Sequence, residues 1–465
     1  MPLERDQAFD QNYAQCLERL NWAVERLHGR ADPTELALIA RLIIQTMSGA
    51  WRFFHTPEHI FEVGESGDAI EVLSALFHDA IYVQVDLGVS VNVGRYISPY
   101  VREVGGHLWI RPRERLPEDR NFQMLLDIFG FAAGQQLFPN KGQNEFLSAV
   151  IAAKCLGQVV DVNAVAQIAA CIEATIPFRP KSDRNQTPSE QLRDRLIKVN
   201  AGFGLGWTEY DLDTNVRRAV RLANRDVENF SFESSAEFLA NTWNLMPESN
   251  HDLTGIYSYT ATGYRNSLQK MESFMYQLRP ELVFQRYQDE PMTANYESMI
   301  ARTSHNLEIA RLYLGMKLLS IAVIEALSLR MGKGVPLATM MGELPRADAF
   351  SAQMENFLPA VEVGIPPRTV LESEVLELLE VGRSRSSSYD VKNSPVATLI
   401  VKRLGFAESL RLLMHAKEFF ADSLSGEAFL SRCDQKLVQS VRDSVVRLLD
   451  TRIAAIRKPD AGEKV

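Results

Sequence analysis

The sequence predicts an all-α protein, because apolar residues recur at helical spacing along most of its length. This spacing is clear at residues 35–47 and 69–82. Only residues 83–93 alternate apolar and polar side chains with a period of two, which is typical of a strand, although Gly88 in their middle equally favours a turn. Further helices are predicted at 144–156, 162–174, 189–199, 214–230 and 235–243, and then across 292–331 (one helix or two), 370–382, 405–422 and 426–456.

The length of 465 residues exceeds what one ordinary core supports, so we expect two helical domains. The first is predicted at 1–245 and the second at 250–465, with the boundary near 245–255. Residues 83–143, rich in Gly, Pro and Arg, are predicted to be an insertion within the first domain. Long segments of this kind are often lids or binding loops.

Composition and charge limit the classes of function and the cellular locations that we expect. A formal net charge of −9 argues against a nucleic-acid footprint, but a local metal ion would still admit a small anionic substrate. Four cysteines without a CxxC pair favour neither disulfides nor a thiolate zinc site, so we expect a cytoplasmic location. The apolar stretch 314–329 contains Lys317 and Glu325, which favours a buried helix over a membrane span.

The first chemical motif is His55-Thr-Pro-Glu-His59. Thr56 is a good N-cap and Pro57 a good first helical residue, so His59 is predicted in the first turn and His55 just before it. The positive helix end should keep His59 neutral, with a lone pair for a metal, and favour a phosphate near His55. The alternative is a pair of solvated histidines.

The second motif, His78-Asp79, ends an apolar helix, so both side chains are predicted to be buried. A buried carboxylate is costly unless it is paired or bound to a metal. A structural His–Asp hydrogen bond would meet that need, and so would a metal site. The HTPEH motif about 20 residues upstream favours the metal.

The third motif is Asp226, which falls within the apolar stripe of the predicted helix 214–230. Its partner is predicted to be either a nearby arginine, Arg221 or Arg225, or a metal shared with the two histidines and Asp79. Two imidazoles and two carboxylates suit Zn, Fe, Mn or Mg and leave positions open for water.

Together these motifs resemble the H…HD…D signature of the HD-domain metal-dependent phosphohydrolase superfamily, over about residues 50–230. Asn144-Glu145-Phe-Leu-Ser-Ala149 resembles the Asn-Glu-x-x-Ser-Ala helix of predicted HD phosphohydrolases. Ile172-Glu-Ala-Thr175 is similar to a segment of that group and of class I cyclic-nucleotide phosphodiesterases. The chain departs from the family at Thr56, where Asn is usual, in the longer separation between Tyr82 and Asn144, and at 176–178, where a histidine often follows.

The resemblance implies an HD-type helical bundle that binds a divalent metal (Mn, Mg, Fe or Zn) through His59, His78, Asp79 and Asp226. It implies catalytic roles for His55 as proton donor, for Asp79, and for Glu145, which would hold a water or a second metal. The implied reaction is hydrolysis of a small phosphorylated metabolite, such as a nucleotide, by a metal-activated water.

Two alternatives stay open at this stage. One is a cyclic-nucleotide or dinucleotide phosphodiesterase, and the other is a non-catalytic sensor that binds metal or nucleotide while its C-terminal helices engage a partner. The C-terminal half offers no chemical motif. Its apolar runs at 306–329 and 393–414 are predicted to form core or a homodimer face, and neither a nucleic acid nor a membrane is expected as partner.

Overall fold

The computed structural model describes residues 2–30, 32–255, 258–344 and 352–456, which are predominantly helical. The chain divides into two compact units, Met1–Ser231 with Arg279–Ala301, and Phe232–Leu278 with Arg302–Val465. The sequence analysis placed one boundary near 245–255. In the structure the chain leaves the first unit after Ser231 and returns to it for a short segment, which we call the return segment (Arg279–Ala301).

The first unit contains the helices α1 Pro2–Arg26, α2 Pro33–Met47, α3 Pro57–Val63, α4 Ala69–Phe77, α5 Val91–Ile97, α6 Arg120–Phe129, α7 Gln143–Leu156, α8 Val162–Ala174, α9 Pro188–Phe203 and α10 Glu209–Asp226. Strands β1 (Val101–Val104) and β2 (His107–Ile110) form an antiparallel hairpin that pairs Val101 with Ile110. The hairpin turn contains Gly105 and Gly106, both at positive φ.

Sequence signals explain where these helices begin. The Asp68 side chain accepts hydrogen bonds from the first turn of α4, and Thr208 and Asp211 form a reciprocal capping box on α10. Helix α9, predicted from residue 189, begins at Pro188. Thr187 caps it, because Glu190 completes a capping box with this residue.

The insertion is more structured than its composition suggests. Residues 83–88 form turns, with Leu87 and Gly88 at positive φ, and α5 follows from Val91. The turn alternative for 83–93 is therefore correct and the strand alternative wrong. The backbone here is bound by α7: Ser148 accepts a hydrogen bond from the Ile81 amide (3.0 Å), and Asn144 accepts one from the Val83 amide (3.2 Å).

Helix α8 lies in the middle of the first unit and packs against α4, α6, α7 and α10. Its side chains Val165, Ile168, Cys171 and Ile172 are buried. This apolar helix therefore fixes the positions of α4, α7 and α10 around one core. Of the predicted site residues, Glu145 lies in α7, Asp226 ends α10, and His78 and Asp79 directly follow α4.

The second unit contains α11 Ser235–Trp243, α12 Leu245–Ser249, α13 Ala261–Gln277, α16 Leu337–Met341, α17 Val370–Glu380, α18 Pro395–Phe420, α19 Gly426–Arg432 and α20 Gln435–Ile456. The short helix α14 (Pro280–Val283) belongs to the return segment, and a single helix, α15 (Thr293–Ser328), occupies the stretch predicted to hold one or two. The single helix predicted at 426–456 was wrong in detail, because residues 433–434 are not helical and separate α19 from α20. None of the helices among the described residues is long and apolar enough to cross a membrane.

Helices α4 and α10 are joined by a buried charge network. The Glu71 carboxylate, 1% exposed, accepts hydrogen bonds from Arg221 (2.8 Å), from Arg225 (2.6 Å) and from the hydroxyl of Ser66 (2.8 Å). A buried carboxylate with this many donors is stable in its charged form, and removing it leaves guanidinium groups without their partner. The network therefore fixes α10 against α4.

We predict that Glu71→Gln lowers the free energy of unfolding by about 3 kcal/mol, because it leaves two arginines without a counter-charge. Urea denaturation of the purified variant measures the change. The matched control is Glu65→Gln, at an exposed position on the neighbouring loop. Equal stability of the two variants would contradict the role assigned to Glu71.

Candidate metal centre

Four side chains from three separate segments meet in the first unit. His59 comes from the first turn of α3, His78 and Asp79 directly follow α4, and Asp226 ends α10. One ligand atom from each lies within 4.8 Å of all the others. The structure thus brings together the four residues that the sequence motifs singled out.

The separations between these atoms fit coordination of a shared cation. His59 Nε2 is 3.1 Å from Asp226 Oδ1 and 3.5 Å from Asp79 Oδ2. His78 Nε2 is 3.0 Å from Asp79 Oδ2 and 3.3 Å from Asp226 Oδ1. Two ligands that each lie about 2.1 Å from one ion, at tetrahedral or octahedral angles, are about 3.0 to 3.4 Å apart.

Two of these atoms lack a hydrogen-bond partner despite their burial. His78 Nε2 and Asp79 Oδ2 are inaccessible to solvent and lie 3.0 Å apart, yet neither makes a well-oriented hydrogen bond to the other or to any other described group. A buried polar atom without a partner costs free energy that a bound cation would recover. These unsatisfied atoms, together with the two imidazoles and two carboxylates of the cluster, fit a bound divalent cation.

Neighbouring groups orient the histidine and aspartate that follow α4. His78 Nδ1 lies 2.8 Å from the Ala75 carbonyl oxygen, so Nδ1 is the donor and Nε2 keeps its lone pair for the site. Arg52, 6% exposed, donates from Nη1 to the carbonyl oxygen of Asp79 at 2.8 Å and pairs with Asp86 at 2.7 Å.

The sequence analysis did not identify Arg52. The available signal was an arginine within the aromatic run Trp-Arg-Phe-Phe at 51–54, immediately before the first motif, since a cation among large apolar residues is buried with a partner. The other end of the site is also supported by an arginine. Arg225 donates from Nε to the Val63 carbonyl oxygen at the end of α3, at 2.8 Å.

The alternative partner predicted for Asp226 was an arginine, and the structure shows otherwise. Arg221 and Arg225 both bind Glu71 of α4. The carboxylate of Asp226 faces His59 and His78 instead. The two arginines are therefore already neutralised, and the cluster itself holds two carboxylates and two imidazoles.

The carboxylates control protonation at the cluster. Burial alone lowers the pKa of His59, but Asp226 and Asp79 outweigh it and raise the pKa to about 9. Burial likewise opposes the charged form of Asp79 and Asp226, yet the nearby histidines hold the pKa of both carboxyls below its usual range. In the metal-free cluster these carboxylates therefore outweigh the helix end, which was expected to keep His59 neutral, and a cation must displace protons to bind.

The N-terminal end of α3 differs from its prediction in one respect. The helix begins at Pro57 as the motif indicates, but the Thr56 side chain makes no capping hydrogen bond. Thr56 therefore does not cap the helix with its side chain, as an Asn at this position would be expected to do. His59 is fixed by the packing of α3 against α4 and α10 instead.

A cavity of about 400 Å³ opens beside the cluster, a size that suits a small-molecule site. We call it the metal-side pocket, and it is lined by Asp79, Asp226, His55, Tyr82, Glu145, Asn144, Thr175, Pro177, Phe178, Pro139 and Asn140. The His55 ring packs against the Tyr82 ring at 4.5 Å and lies 5.9 Å from the His59 ring, measured between centroids. The three predicted residues His55, Asp79 and Glu145 thus share one cavity.

Glu145 is the acid of this cavity whose carboxyl pKa is raised. Burial, followed by the charges of Asp79 and Asp226, raises the pKa of its carboxyl to about 8. Its Oε2 atom is buried and has no hydrogen-bond partner. Its neighbours in the same motif, Asn144 and Ser148, bind the backbone after His78-Asp79, so this motif both shapes the turn and supplies an acid to the pocket.

Comparisons of the chain with protein-family models, curated proteins and solved structures found no match. The geometry described above is therefore the basis for assigning a function.

We predict that the purified protein binds about one divalent ion per chain, and that His78→Ala and Asp226→Asn each lower the metal affinity more than about 100-fold. Loss of a ligand removes a direct bond to the cation and leaves the remaining carboxylate and imidazole with poor geometry. Elemental analysis after dialysis against a defined metal buffer measures the content, and circular dichroism checks that each variant is folded.

The matched controls are His107→Ala in the β1–β2 hairpin and Asp183→Asn in the loop before α9, both exposed. They remove the same chemical groups away from the cluster and should retain the metal. Full metal content in folded His78→Ala or Asp226→Asn protein would mean that no such centre exists.

Proposed function

We propose that the first unit is an HD-type, metal-dependent phosphohydrolase that acts on a small phosphorylated metabolite. The observation that carries the proposal is the convergence of His59, His78, Asp79 and Asp226. The two carboxylates of this cluster line a cavity that also contains His55 and Glu145. The order of these residues along the chain is the order in the HD motif pattern. No cysteine contributes to the cavity, so thiol chemistry is not part of the proposal.

The four clustered residues would hold the cation, leaving coordination positions open toward the metal-side pocket. When bound, a divalent ion there supplies a water of lowered pKa and polarises a phosphoryl oxygen. Because the protein ligands bring only two negative charges, an anionic phosphoryl group can approach the loaded centre without strong repulsion.

His55 is proposed to act on the leaving group. Its ring stands against Tyr82 in the metal-side pocket, 5.9 Å from the His59 ring, so it can reach a substrate oxygen without being a ligand itself. A protonated imidazole in this position gives its proton to the departing alkoxide, which avoids a strongly basic leaving group. The proton is returned from solvent after the product leaves.

Glu145 is proposed to bind a water in the metal-side pocket. Its Oε2 atom is buried without a partner beside Asp79 and Asp226, and a water hydrogen-bonded to it satisfies that atom. The carboxyl group therefore helps to position the attacking water, and Asn144 and Ser148 keep the adjoining turn in place.

We predict that His55→Gln lowers kcat by about 100-fold or more on phenyl phosphate and much less on p-nitrophenyl phosphate. The nitrophenolate departs without protonation, whereas phenolate benefits from a proton donor. Steady-state kinetics with Mn²⁺ on both substrates measures the ratio, and elemental analysis confirms that the metal is retained.

His107→Gln, an exposed histidine in the hairpin, is the matched control and should leave both rates unchanged. An equal loss on the two substrates would contradict the proton-donor role. Bound metal without turnover of any monoester would favour a sensor, and turnover of diesters alone would favour a phosphodiesterase.

A further inference from the structure

A second cavity, of about 460 Å³, lies next to the metal-side pocket within the first unit. We call it the basic pocket. It shares the wall Thr175, Pro177 and Phe178 with the metal-side pocket, and Ala223 and Val227 of its lining flank the candidate ligand Asp226. The two cavities therefore adjoin at this wall, and both lie beside the candidate metal centre.

The two cavities carry opposite charge. Asp79, Glu145 and Asp226 line the metal-side pocket, whereas Arg179, Lys181, Arg279 and Arg286 line the basic pocket with Glu281 as its one acidic residue. Arg179 is already paired with Glu173, so Lys181, Arg279 and Arg286 face Glu281 alone, which leaves this pocket with a net positive charge. Such a field attracts an anionic group of a ligand.

These cations have side-chain N–H donors that no other group uses fully. Within the described residues, neither Lys181 nor Arg279 has a side-chain hydrogen bond or an ion pair. Arg179 and Arg286 each use part of the guanidinium group elsewhere, on Glu173 and Thr293, but their Nε atoms are buried without a partner. Buried donors of this kind are expected to meet an acceptor.

The pocket is a built structure, because the return segment is bonded to the helices beside it. Gln285 donates from Nε2 to the Ala174 carbonyl oxygen at the end of α8 (2.6 Å) and accepts from the Ser189 hydroxyl (3.0 Å). Asn224 on α10 exchanges two hydrogen bonds with the backbone of Gln285, at 2.8 and 2.9 Å. Arg286, the next residue along the chain, is held at the cavity by these contacts.

We propose that the basic pocket binds a second phosphate group of the substrate, so that the substrate is a bisphosphorylated metabolite with one phosphate at the metal centre and one among these cations. The inference rests on the proposed function. Guanidinium and ammonium groups bind phosphate through charge-assisted hydrogen bonds, and arginine can do so with two parallel bonds. A nucleoside bisphosphate and a sugar bisphosphate share this chemistry.

The test is the double variant Lys181→Gln/Arg279→Gln, whose positions are exposed, so that folding should be unaffected. The matched control is Arg184→Gln/Lys198→Gln, which removes the same charge from exposed positions nearby that do not line the pocket. For the Mn²⁺-loaded enzyme, we expect KM for a bisphosphate to rise about tenfold in the test variant alone, a loss equivalent to about 1.4 kcal/mol. KM for AMP and kcat on both substrates should stay unchanged.

The two bisphosphates tested are adenosine 3′,5′-bisphosphate and fructose 1,6-bisphosphate. The one with the larger kcat/KM shows whether the second phosphate belongs to a nucleotide or to a sugar. A second readout is calorimetric binding of each bisphosphate to the metal-free protein, which should weaken in the test variant and not in the control. Equal KM for bisphosphate in test and control variants would overturn the proposal. Loss of calorimetric binding in the test variant, without hydrolysis of any ester, would support the phosphate site while refuting the hydrolase.

Discussion

The structure of the first unit depends on one electrostatic constraint, the need of two largely buried carboxylates for positive charge. Asp79 directly follows α4 and Asp226 ends α10, and each lies within 3.5 Å of both His59 and His78. Two imidazoles can balance them only when protonated, which the raised pKa of His59 and His78 reflects. A divalent cation meets the same need with neutral imidazoles and satisfies the two buried atoms that have no hydrogen-bond partner.

The rest of the unit supports this arrangement through a separate set of buried charges. Glu71 draws Arg221 and Arg225 away from Asp226, and Arg225 also binds the end of α3. Arg52 binds the backbone of Asp79. Each of these three arginines thus has a partner outside the cluster, so the clustered carboxylates remain available for a ligand. The apolar helix α8 provides the common surface on which these helices pack.

The sequence predicted the parts of this site that local patterns determine. The Thr-Pro-Glu start placed His59 in a first turn, and apolar periodicity placed Asp226 on an inward helix face. Contacts between distant segments were not predictable in the same way: Arg52 binds a residue 27 positions away, and the return segment reaches the first unit from beyond residue 278. The strand alternative for residues 83–93 was wrong because apolar and polar residues alternate in these turns as they do in a strand.

The central claim is that four side chains share one cation, and anomalous X-ray scattering tests it most directly. Crystals of the protein prepared with Mn²⁺ would be measured at an energy where manganese scatters anomalously. The account predicts one strong anomalous peak about 2.1 to 2.2 Å from His59 Nε2, His78 Nε2 and an oxygen each of Asp79 and Asp226. No peak at the cluster under saturating metal, with the four side chains ordered, would contradict it.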